Sequence, residues 1–107
     1  MRGFDERQKG FEAEFTRNQE LAFRTTARRN RLFGLWAAAR LGLPDADAAE
    51  EYARTVVVAD FAAPGDDDVV EKVRADFAAN GIAISEAELR VALARAAMEA
   101  RKQLAQR

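Results

Sequence analysis

At 107 residues, 49% hydrophobic and 33% charged, the chain is sized for one domain with a modest core and is too apolar to read as disordered. It has no cysteine and no histidine, which excludes disulfides and thiolate metal centres and removes the commonest general base and metal ligand near neutrality. No segment has the length and apolarity of a membrane span, and the first residues lack a signal-peptide core, so a cytoplasmic protein is expected. The net charge of −1 conceals an asymmetry: residues 1–44 hold nine Lys or Arg against five acids, and residues 45–107 hold eight against thirteen.

In chain order, the first segment has no proline from Asp5 to Leu41, and its apolar positions Phe15, Leu21, Ala22, Leu32, Phe33, Leu35 and Trp36 keep helical spacing, predicting one long helix stopped by Gly42 and Pro44. Within it, Phe4, Phe11 and Phe15 fall within about 40° of one another at about 100° per residue, a stripe beyond what the bundle core requires. A second helix is predicted over Asp45–Ala63, with Ala49, Tyr52, Ala53, Val56, Val57 and Phe61 on one face and Pro64–Gly65 as the stop. A third runs from Asp67 to Asn80, with Val69, Val70, Val73 and Phe77 inward and Gly81 as a left-handed cap. The fourth opens at Ser85, which forms a capping-box pattern with Glu88, and carries Leu89, Leu93, Ala96, Ala97, Ala100 and Leu104 on a narrow face.

Short connections predict antiparallel neighbours, hence an all-α, up-and-down four-helix bundle. A first helix of about 37 residues would reach roughly 55 Å against roughly 30 Å for the fourth. The excess makes residues 1–17 a mobile or partly helical N-terminal arm on a single bundle domain of residues 18–107.

Five features are candidates for function. The arm stripe reads as a partner-binding face, but burying three phenylalanines yields about 5–9 kcal/mol, whereas fixing fifteen flexible residues costs about 15–30 kcal/mol. The arm must therefore extend a preformed helix, add polar contacts or enter an enclosing interface. The run from Arg24 to Arg31 has Arg24, Arg28, Arg29 and Arg31 without an acid, suited to phosphate or carboxylate, or to pairing with the acidic second half. Asp66, Asp67 and Asp68 lack the spacing of a calcium loop and read as capping acids, favoured at a helix start by the macrodipole. Asp60, on the apolar side of the second helix, is expected to meet an arginine of the first or to lie at the helix end, while Val91 and Met98 mark a small second contact on the fourth. No phosphate loop, nucleophile elbow, metal-ligand spacing or nucleic-acid motif is present, and neither an enzyme nor a nucleic-acid binder is expected.

The segments FDERQKGFEAEF at 4–15, ARRNRLFGLWAAARLGL at 27–43 and VVVADFAAPGDDDVVEKVRADF at 56–77, in that order, resemble the zeta subunit of the alphaproteobacterial rotary ATP synthase, a small helical family. The resemblance implies a natural inhibitor of ATP hydrolysis whose N-terminal segment inserts between a catalytic and a noncatalytic subunit of the head, near the rotor shaft. The bundle would serve as an anchor, with the protein at the inner face of the cytoplasmic membrane when bound. Carried onto this chain, Phe4, Phe11 and Phe15 are implied as anchors and Asp5, Arg7 and Glu12 as polar contacts. Some family members bind adenine nucleotides weakly, which makes the arginine cluster a candidate ATP or ADP site. A monomer with no metal and no further cofactor is expected. Without histidine, inhibition is expected to vary little between pH 6 and 8, to be checked after correcting for the enzyme's own titration.

Overall fold

In a computed structural model, residues 2–61 and 65–106 are described, the side chains of residues 1–15 excepted. The chain is all-α, with four helices in order: α1 (Arg2–Leu41), α2 (Ala46–Ala59), α3 (Asp67–Ala79) and α4 (Glu86–Ala105). Consecutive helices adjoin, α4 closes back on α1, and α2 and α4 do not meet, so the four form a ring around one core. That is the arrangement short connections predict.

Helix ends follow the local chemistry. After α1, Gly42 adopts φ 74°, and the N–H groups of Gly42 and Leu43 donate to the carbonyls of Ala39 and Ala38. Gly81 repeats this after α3 at φ 71°, with Gly81 and Ile82 donating to Ala78 and Phe77. Both are Schellman closures in which glycine takes the left-handed position at no steric cost. At the other ends, the Asp45 carboxylate accepts from the Ala48 N–H at 2.8 Å and the Ser85 hydroxyl oxygen from the Glu88 N–H at 3.1 Å, each satisfying an otherwise orphaned donor.

Two expectations are corrected. α2 ends at Ala59, four residues short of Ala63, because Asp60 and Phe61 donate to Val57 and Val58, three residues back, tightening the last turn before Pro64. Phe61 is consequently outside the core and exposed. Asp66 occupies the N-cap position of α3 but makes no side-chain cap, since its backbone is right-handed helical (φ −82°, ψ −13°) rather than extended. Its carboxylate reaches across to α1 instead.

The core is Phe33 and Ala37 from α1, Val56 from α2, Val69, Val70, Val73 and Phe77 from α3, and Leu89, Leu93 and Ala96 from α4. Trp36 stacks on Phe33 with ring centroids 5.6 Å apart and an interplanar angle of 8°, and its other neighbour is Phe77 at 5.8 Å. The predicted inward residue Leu35 is only half-buried, and Leu21 is exposed.

α1 and α2 approach so closely at Gly34 that a Cβ there would lie 2.7 Å from the Ala53 Cα. Gly34→Ala therefore sets two effects against each other. Alanine favours the helix by about 1 kcal/mol, but the methyl meets backbone, and overpacking of that kind costs about 1–3 kcal/mol. Because backbone cannot rotate aside as a side chain can, packing wins: the variant is expected to lower the urea midpoint by an amount equivalent to up to about 2 kcal/mol.

Candidate partner-binding surfaces

α1 spans 40 residues, about 60 Å at the helical rise, against about 30 Å for the 20 residues of α4. The molecule measures 66 × 26 × 20 Å. Excess helix length was predicted, and it lies at the N-terminal end: among the described side chains the first fully buried one is Asn30, and every side chain from Thr16 to Arg24 is exposed. The predicted contact residues Phe4, Asp5, Arg7, Phe11, Glu12 and Phe15 occupy the α1 backbone, and their side chains lie outside the described residues.

The arginine cluster divides. Arg29 is mostly buried, its Nε and Nη2 donating to the Asn30 Oδ1 at 3.0 and 2.8 Å and its Nη1 pairing with Asp66 at 2.9 Å. Arg31 grips Glu50 of α2 through both its Nε and Nη2, and this guanidinium holds the Glu50 carboxyl below its ordinary value. Arg28 donates to the Gln103 Oε1 at 3.2 Å. Pairing with the second half of the chain thus uses Arg29 and Arg31 directly. Arg24, Arg28 and Arg31 still line one groove of about 360 Å³ with Phe23, Ala27, Val57 and Leu104, whereas Arg29, about 100° from Arg28 around the helix, leaves it. Asp60 takes the second of its two expected places: among the described residues it meets no arginine, and it is the half-buried C-cap at the end of α2, beside a small cavity with Phe23, Thr26 and Asn30.

Other polar contacts are structural. Asp67 pairs with Arg90 of α4, so the aspartate run at the start of α3 ties α3 to both α1 and α4. Tyr52 donates to the Asp76 Oδ2 at 2.8 Å, Lys72 pairs with the same carboxylate at 2.8 Å, and burial, then the Asp76 hydrogen bond, pushes the Tyr52 phenol far above its ordinary value. Sequence reading missed the buried Asn30 and this Tyr52–Asp76–Lys72 contact, for periodicity marks apolar faces and carries no signal for polar partners across helices.

Two exposed apolar features remain. Phe23 and Phe61, both exposed, meet at 6.2 Å at the base of the overhang. On the other side a groove of about 480 Å³ runs between α1 and α4, with Leu32, Trp36, Ala87, Val91, Ala92 and Ala96 along it and Arg40, Glu88 and Arg95 at its edges. Among the described residues no group of His, Cys, Asp or Glu is placed to hold a metal ion, and no helix is long and apolar enough to cross a membrane.

No curated protein matches the chain. The family model for ATPase inhibitor subunit zeta matches residues 1–103. That match extends through the overhang and all four helices, and the chain belongs to the ATPase inhibitor subunit zeta family, whose members are regulatory subunits and not catalysts.

Proposed function

We propose that this protein inhibits ATP hydrolysis by the ATP synthase through insertion of residues 1–17 into the catalytic head, between a catalytic and a noncatalytic subunit and against the rotor shaft. The observation that carries the reading is the length mismatch: α1 outruns its bundle by several turns, and the residues of that excess carry the Phe4, Phe11 and Phe15 stripe. Phe15 and Phe33 are 18 residues apart, about five turns, so the stripe prolongs the register of the core-facing side of α1. Asp5, Arg7 and Glu12 would make the polar contacts. An interface between large subunits encloses a helix on several sides, which meets the energetic objection to an open groove. Bound in this way, the protein sits at the inner face of the cytoplasmic membrane. Deleting residues 2–17 and assaying ATP hydrolysis by the purified head tests the reading.

A second reading, weak adenine nucleotide binding, is supported by the groove holding Arg24, Arg28 and Arg31 beside the Phe23 ring. Arg24 forms no ion pair among the described residues, which leaves its fork available to phosphate. Titrating ATP into isotope-labelled protein is expected to shift α1 amides around Arg24 and Arg28, with Arg24→Ala weakening the response severalfold. No shifts at millimolar nucleotide would remove this reading.

A further inference from the structure

The groove between α1 and α4 has an apolar length, and Arg40 and Arg95 with the single carboxylate of Glu88 give its lining a net positive charge. Trp36 lies along it although its ring also touches the core residues Phe33 and Phe77. Val91 is half exposed in it, and the alanines at 87, 92 and 96 keep α4 low enough for another helix to approach closely. At its edges Arg40 lies over the Trp36 ring at 5.2 Å, and neither Arg40 nor Arg95 has a carboxylate partner among the described residues. Most other arginines of the bundle are engaged: Arg29, Arg31, Arg74 and Arg90 hold carboxylates and Arg28 an amide. An apolar trough flanked by two guanidinium groups without carboxylate partners complements a helix with apolar side chains at three- and four-residue spacing and carboxylates beside them.

Register supplies the second argument. Positions 11 and 36 of the unbroken α1 are 25 residues apart, which in an ideal helix leaves them about 20° apart in azimuth and about 38 Å apart along the axis. Positions 4 and 40 differ by 36 residues, about ten turns, and share one azimuth. The arm stripe and the groove therefore belong to the same side of α1. A partner that covers the stripe and extends some 40 Å along α1 meets the groove as well.

We propose that the α1–α4 groove receives an acidic amphipathic helix of the same ATPase that takes the arm, as a second, anchoring contact that adds affinity without itself inhibiting. This rests on the arm reading above, and two contacts on one continuous helix gain from each other because the second forms at high effective concentration.

The test uses the full-length chain and the isolated catalytic head, measuring Kd and inhibition at saturation separately. Arg40→Glu combined with Arg95→Glu is expected to raise Kd at least tenfold while inhibition at saturation is unchanged. Val91→Glu, which places a carboxylate in the trough without disturbing the Arg40–Trp36 contact, is expected to do the same. Arg101→Glu, exposed elsewhere on α4, is the control and should leave Kd unaltered. Unchanged Kd in both groove variants overturns the proposal; so does an equal loss from Arg101→Glu, which would mean that overall charge alone matters. If sedimentation of the protein alone shows the groove variants abolishing self-association, the occupant is a second copy and the proposal is likewise overturned. Failure of the arm reading has a different signature: inhibition that survives deletion of residues 2–17.

Discussion

Deleting residues 2–17 is expected to abolish inhibition of ATP hydrolysis and to leave a bundle that still melts in one cooperative step. The second half of that result follows from burial, because among the described side chains of α1 full burial begins at Asn30, and residues 16–24 are exposed before any deletion. The first half follows from where ordering cost falls. A free helix of this length is marginal because its first turn must nucleate, but an arm continuous with α1 grows from a helix already fixed by the bundle, leaving only propagation. Interface burial of three phenylalanines, about 5–9 kcal/mol in full, then has far less to offset. Replacing Phe4, Phe11 and Phe15 together with alanine gives the graded version: the concentration for half inhibition should rise about 100-fold or more, equivalent to about 2.8 kcal/mol, with the melting temperature of the bundle unchanged. Full inhibition by the deletion variant would instead place the inhibitory contact on the bundle.

The sequence made the ends of the helices legible wherever a residue is chemically committed. Gly42 and Gly81 take the backbone conformation that side-chain-bearing residues avoid, and Ser85 caps as its hydroxyl allows. Reading failed where the outcome depends on angular setting between helices. The aspartates at 66 and 67 resemble cap residues in sequence, but the placement of α3 against its neighbours lets them pair with Arg29 and Arg90. The four arginines from 24 to 31 looked like one cluster, yet neighbours on a helix diverge by about 100°, so Arg29 goes inward to Asn30 and Asp66 while Arg24 stays on the outer groove. As for the arm, spacing alone exposes its apolar stripe, and no residue of this chain specifies a partner for it; the link to an ATPase comes from the family.

Phe33→Ala is expected to be among the most destabilising single changes in the bundle, about 3–5 kcal/mol by denaturant unfolding. Phe33 has no exposed surface, and its ring is the support on which Trp36 stacks, with Trp36 in turn meeting Phe77 of α3. Removing it leaves a void at the junction of α1 with the rest of the core, which the close-packed neighbours fill only in part. For a domain whose total stability is about 5–15 kcal/mol, a loss of this size lowers the melting temperature by roughly 12–40 °C. The functional consequence separates the two parts of the molecule. At a temperature where the variant remains folded, its arm is chemically intact, and inhibition at saturation should equal that of the unsubstituted protein. Affinity should decline as the folded fraction falls, because the bundle supplies the fixed helix from which the arm extends. A Phe33→Ala protein that is fully folded but unable to inhibit at saturation would show that the core of α1 does more than hold the arm in place.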